Sequence, residues 1–250
     1  MFLATHGILN TTSDLYLPWS TDTYSFDYDG SLDYINVGND PLLNFEKDDA
    51  FSISAWFKCG SSTSTQTIIA KANSSLQGYY LVVTPNGKVA FVLRDVSNNA
   101  FVAFPTGLNF NDNSWHHVLA QYDGSNDVLG INIFIDGVNL SLTATGSPLT
   151  SSIQVSSPVQ VGARNSSALM NGVIDEPAVF HQTLGAVNAS AMYGTGSASD
   201  ITHLNPKGWW RAENATFNGS NWSVANAYKK GLNGTSVSMT SGSRVTDIPT

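Results

Sequence analysis

Phe51-Ser-Ile-Ser-Ala-Trp-Phe-Lys58 alternates: Phe51, Ile53, Ala55 and Phe57 fall on one face of an extended chain, with Ser52, Ser54, Trp56 and Lys58 on the other. Apolar residues at every second position, with aromatic and β-branched side chains among them, are the pattern of a strand with one face in a core. The same period recurs outward in both directions, at 67–70, 78–83, 88–93, 100–104, 115–122, 130–135, 138–142, 160–162 and 172–180. Between these runs stand Pro85-Asn86-Gly87, Asp123-Gly124 and Asp136-Gly137, whose Asn, Asp and Gly accept positive φ and join antiparallel neighbours. One stretch, Gly185 to Tyr193, carries Ala and Met at helical density and is followed by Gly194 as a stop. Ten or more short strands and one short helix predict an all-β, two-sheet antiparallel sandwich.

Composition agrees and excludes several functions. Only 12% of the residues are charged, the net charge is −8 and the pI is about 4.8. A nucleic-acid binder needs a basic stripe to neutralise phosphates, whereas the sole adjacent basic pair is Lys229-Lys230, so no nucleic-acid partner is expected. No eighteen apolar residues run together, and the start MFLATHGILNTTSD has no basic region, so neither a membrane span nor a signal peptide is predicted. The polarity comes from 31 Ser, 23 Asn and 21 Thr, which suit turns and strand surfaces. Cys59 is the single cysteine and can form no internal disulfide.

Residues 1–23 lack the alternation and carry Leu15, Tyr16, Leu17 and Trp19, an apolar patch that needs covering; they are read as an N-terminal arm that docks on a neighbouring subunit or on the Gly208 to Arg211 region of its own chain. Residues 24–195 are read as the sandwich. Residues 196–250, with Gly208-Trp209-Trp210-Arg211 and a short alternation at 236–239, are read as an extension of extra strands or a contact segment.

Eight short motifs stand in a telling order: Ser25-Phe26-Asp27 through Asp33-Tyr34-Ile35, the run Phe51 to Lys58, Ile69-Ala70-Lys71, Asn86-Gly87-Lys88, Ser114-Trp115-His116-His117-Val118, Tyr122-Asp123-Gly124, Ile133-Phe134-Ile135-Asp136-Gly137 and Gly172-Val173-Ile174-Asp175-Glu176. Together they resemble the laminin-G-like, concanavalin-A-like jelly-roll family over residues 24–195. The resemblance implies two stacked antiparallel sheets and leaves function open, because this fold hosts lectins, adhesion modules, enzymes and structural domains. It also implies a candidate calcium site between the loop near the first strand and the Asp-Glu of the last core strand, here Asp27, Asp29, Asp33, Asp175 and Glu176. An apparent insertion, Tyr28-Asp29, leaves open which aspartate aligns. Without an ion these aspartates serve as turn formers and backbone acceptors, so no cofactor is required. A second resemblance rests on Gly208 to Arg211, Met239-Thr240 and Val245-Thr246-Asp247-Ile248-Pro249, and is to the tails of laminin-G-like virion proteins of marine phages; it implies a protein made in a host cytoplasm and packed in virions.

Glucanases on this sandwich place carboxylates at E-x-D-x-x-E spacing along one strand. Glu occurs here only at 46, 176 and 213, and Asp175 and Glu176, as strand neighbours, are expected to point to opposite faces. No G-x-S-x-G elbow is present, and His116-His117 are expected to be one packed and one exposed histidine. No catalytic residue is assigned and no enzyme is expected. Trp56 and Trp115 are expected in the core, whereas Trp19, Trp209, Trp210 and Trp222, with Leu15, Tyr16 and Leu17, are expected to meet a partner. The expected function is a non-enzymatic structural or decoration protein of a capsid or tail surface, with other virion subunits or further copies of itself as partners. The alternative is a carbohydrate-binding, lectin-like adhesion module whose partners are glycans.

Overall fold

The structure, a computed structural model, describes residues 19–228 and 231–250; Leu15, Tyr16 and Leu17 lie outside them. In chain order the strands are β1 (Ser25–Asp29), β2 (Tyr34–Gly38), β3 (Phe51–Cys59), β4 (Gln66–Ala72), β5 (Gly78–Val83), β6 (Val89–Arg94), β7 (Ala100–Pro105), β8 (His116–Tyr122), β9 (Ile131–Ile135), β10 (Val138–Asn139), β11 (Leu142–Gly146), β12 (Val159–Val161) and β13 (Asn171–Phe180). Helix α1 (Gly185–Tyr193) follows, then β14 (Gly208–Phe217), β15 (Trp222–Asn226), β16 (Gly234–Val237) and β17 (Arg244–Val245).

All pairings are antiparallel. Sheet A runs β17-β1-β13-β3-β8-β9-β10, and sheet B runs β14-β15-β16-β2-β12-β4-β5-β6-β7-β11. Phe51, Phe57, Tyr79, Phe91 and Tyr122 are enclosed between the sheets, each contributing roughly 1.5–3 kcal/mol through burial. The Phe51–Lys58 alternation lands as read, but its second face is covered too: Leu119, Phe134, Ala178 and Phe180 form the outer side of sheet A, under Ala189 and Met192 of α1. Helix α1 ends at Gly194, whose φ of 59° only glycine adopts without strain.

The boundary drawn at residue 195 marks no break in the packing. Strand β14 begins on β13 in sheet A, through Gly208 and Trp209, and continues on β15 in sheet B, so it belongs to both sheets. This corrects the reading of three tryptophans as partner contacts. Alternation along β14 sends Trp210 into the core between the sheets and Trp209 into the layer under α1, each 1% exposed, and Trp222 is 4% exposed. Their indole N–H groups are used internally: Trp210 donates to Leu232 O at 2.7 Å, Trp222 to Thr240 O at 2.7 Å, and Trp209 to Glu176. Trp115 departs the other way, half-buried rather than in the core, and donates to Asp247 Oδ1 at 2.9 Å. His117 is buried and His116 is largely covered between Asp136 and Asp112, so neither is the exposed member of the pair.

Candidate functional site

The site begins with a proline. Asp175 pairs with Trp56 and Ala178 with Ser54, so Glu176 and Pro177 together oppose the single residue Ala55, a β-bulge. Pro177 has no N–H to give the ladder, and Glu176 takes a φ of +51° beside it. The bulge cancels the alternation that would have separated the two acids. Asp175 and Glu176 therefore lie on one side, the outer face of sheet A, and with Asp22 they bring carboxylate oxygens within 4.8 Å of one another.

Strand β14 supplies the next layer, since Trp209, Arg211 and Glu213 project to the same side while Trp210 and Ala212 face the core. Arg211, 1% exposed, donates from Nε to Glu176 Oε1 at 2.6 Å and from its terminal nitrogens to Ser20, with Glu213 Oε2 at 3.5 Å. Glu213 Oε1 accepts from the backbone of Thr23 and Tyr24, both at 2.8 Å, which pins the segment before β1. The Trp19 ring stacks on Trp209 with centroids 5.8 Å apart, and the Arg211 guanidinium lies 4.1 Å from the Trp19 centroid. Trp19 thus docks on the chain's own β14.

Four carboxylates (Asp22, Asp175, Glu176 and Glu213) share one guanidinium here. Burial, then the charge of Glu213, pushes Asp22 up to about 7. Burial pushes Glu176 up to about 8 despite Arg211, and burial together with Glu176 holds Asp175 well above the carboxylate range. Both oxygens of Asp22 and Oδ2 of Asp175 are buried with no hydrogen-bond partner. Orphaned hard oxygens of this kind fit a calcium ion, which Asp22 and Asp175 would hold; both oxygens of Glu176 already accept N–H donors.

The pH dependence follows in sign. These groups have folded values raised above the unfolded ones, so between about pH 4 and 8 the folded chain holds more protons and stability falls as pH rises. The melting temperature is expected to drop by on the order of 5 °C from pH 5 to pH 8.5 after allowance for the solvent reaching Asp22. Millimolar calcium should restore it at pH 8.5 and not at pH 5, and Asp22→Asn should flatten both responses. A wild-type melting temperature unchanged between the two pH values would contradict this reading.

A surface groove adjoins the cluster, with Trp19, Thr21 and Asp22 on one wall and residues 195–198 and 248–250 on the other. The remaining acids of the expected calcium set lie apart. Asp27, Asp29 and Asp33 border a different depression, beside Ser238 and Thr240, and Asp29 accepts from the backbone of Ser31 and Leu32 as a turn former does. So the structure splits that set, keeping Asp175 and Glu176 and joining them to Asp22, Arg211 and Glu213. Pro177 inside a strand was the sequence signal for the bulge; Asp22, in a stretch without periodicity, offered none.

One family model, that of the concanavalin A-like lectin/glucanases superfamily, matches residues 29–188. The chain belongs to that superfamily. Among solved structures, a protein of Bacteroides ovatus assigned to carbohydrate binding matches at TM-score 0.59 and 15% identity, over 92% of this chain and 62% of that one. The binding domain of Paraclostridial mosquitocidal protein 1 matches at 0.54 and 14%, over 86% and 58%. A heptameric SAP-like pentraxin from Limulus polyphemus matches at 0.50 and 12%, over 71% and 84%. At these identities the likeness is one of superfamily fold, and the chain spans about three fifths of the first two structures. The comparison with curated proteins finds no match. None of these comparisons carries the phage resemblance of the C-terminal motifs.

Proposed function

We propose that the chain is a non-enzymatic, lectin-like module that binds glycan in the groove beside the acidic cluster, with calcium held by Asp22 and Asp175. The observation that carries this reading is the pairing of the half-buried Trp19 wall with the unpartnered carboxylate of Asp22. A sugar ring presents C–H faces that pack on indole and hydroxyls that complete the coordination of an ion held by Asp22. The ion would supply the positive charge that this crowd of carboxylates lacks. Membership of the concanavalin A-like lectin/glucanases superfamily and the likeness to the Bacteroides protein are compatible with the same choice. Hydrolysis is disfavoured because Glu176, the acid at the centre, is engaged by Arg211 and Trp209 and is not free as a nucleophile. The virion reading rests on the C-terminal motifs alone.

A glycan array probed with the full chain, with calcium and with chelator, tests this. Selective binding is expected, weakened at least about tenfold, or 1.4 kcal/mol, in Trp19→Ala and in Asp22→Asn. An array without selective binding, or a Trp19→Ala protein that binds like wild type, refutes it.

A further inference from the structure

The outer face of sheet B is a second surface, remote in the fold from the acidic cluster. Register places Arg94 of β6 opposite Gly78 of β5 and Ala100 of β7, with Ala72 of β4 beyond the glycine. Small neighbours leave the guanidinium room. One row along, Gln160, Ala70, Tyr80, Val92 and Val102 lie side by side, and Arg164 sets its guanidinium 4.6 Å from the Tyr80 ring centroid. Among the described residues no helix lies over this part of the face, and the strands that form it, β4 to β7, β11 and β12, carry no Asp or Glu.

Both arginines are without a counter-ion. Neither forms a salt bridge among the described residues, and Nε of each is buried with no hydrogen-bond partner. In a chain of net charge −8, two adjacent cations left unpaired are conspicuous. Burial, with Arg94 as a like-charged neighbour, lowers the affinity of Arg164 for its proton.

The loop that delivers Arg164 is held in an unfavourable conformation. Asn165, Ser166 and Ala168 have φ of 50°, 55° and 48°, a region costly for residues with a Cβ. The surroundings enforce it. Ser166 N donates to Gln160 Oε1 at 2.9 Å, Ser166 Oγ to Tyr34 OH at 3.2 Å, and Thr67 donates to Ala168 O from both N and Oγ1. Backbone strain maintained by that many contacts fixes Arg164 over Tyr80, where it faces the same patch as Arg94.

We propose that Arg94 and Arg164 form an oxyanion site for an acidic saccharide, one carrying a carboxylate or a sulfate, with half-buried Val102 and Phe104 as the apolar floor beside it. Planar guanidinium forks match carboxylate and sulfate oxygens, and the apolar strip suits a sugar ring rather than a bare ion. The glycan class rests on the lectin-like reading; the anion site does not.

The test is titration calorimetry of the full chain with an oligogalacturonide, a sulfated chondroitin oligosaccharide, a neutral cello-oligosaccharide and inorganic sulfate. An acidic oligosaccharide is expected to bind at least tenfold more tightly than the neutral one, with affinity falling as salt rises. Arg94→Gln and Arg164→Gln should each remove that preference, Arg164→Lys should restore little of it, and circular dichroism should report the wild-type fold in all three. Val187→Ala, an exposed change on α1 outside both this patch and the groove, should leave acidic binding intact. The oligogalacturonide and chondroitin arms tell a carboxylate from a sulfate. Binding of sulfate alone, lost in both Gln variants, would keep the anion site and overturn its saccharide ligand. Equal affinity for acidic and neutral sugars, or Gln variants that bind like wild type, would overturn the proposal entirely.

Discussion

Arg211→Met is expected to lower the melting temperature by about 10 °C or more at pH 9, above the value of about 8 to which Glu176 is pushed. Removing one partner of a buried ion pair costs roughly 3–5 kcal/mol, because the charge left behind has neither water nor a counter-ion, and each kcal/mol shifts a chain of this size by about 2–4 °C. Here the deserted partner is Glu176, only 6% exposed, with Asp175, Asp22 and Glu213 around it and only the Trp209 N–H still donating to it. The loss should shrink at pH 5, where Glu176 can take up a proton instead of standing charged. Adding Glu176→Gln to Arg211→Met should recover part of the stability, since it removes the stranded charge. Differential scanning calorimetry at the two pH values reads all of this, and a single variant that melts within about 2 °C of wild type would show that the pair carries no such burden.

Trp210→Ala should be nearly as damaging, at roughly 3–5 kcal/mol, the usual range for truncating a large aromatic in a packed core. The indole is 1% exposed, and it lies so close to β14 itself that a Cβ built on Gly208 would meet its ring at 2.1 Å. Urea unfolding checks the size of the loss. If Trp210→Ala unfolds at the wild-type midpoint while an oligomer dissociates, the tryptophan is a docking residue after all.

What could be read from the sequence divides along physical lines. Strand β3 carries its period in its own residues, helix α1 is marked by its Ala and Met content, and Asp136-Gly137 and Gly194 stand where β9 and α1 end. Trp210 was misjudged for a different reason: its burial depends on β14 pairing with β13 and β15, which no local pattern states. The acidic cluster was half visible. Asp175 and Glu176 were singled out, but strict alternation sent them apart, and only the consequence of Pro177 for the ladder would have brought them together. Asp22 joins Asp175 from 153 positions away, and Arg211, which meets Glu176 across 35 positions, also bonds Ser20 across 191, so no local pattern gathers them. Arg94 and Arg164 carry no signal in the sequence, because two single arginines 70 positions apart make no motif; they meet through the β6–β5–β4–β12 order of sheet B and the loop after β12.

Strand β14 ties its first residues to one sheet and its last to the other, so neither sheet can peel away while the other stays intact. The amides of both should therefore exchange with deuterium through a single global opening rather than sheet by sheet. The same seam sets a lower limit on how far the molecule can be trimmed. A fragment ending near residue 195 would leave unpaired the β2 edge that β16 covers, the end of β13 that β14 covers and the start of β1 that β17 covers, and such edges invite polymerisation.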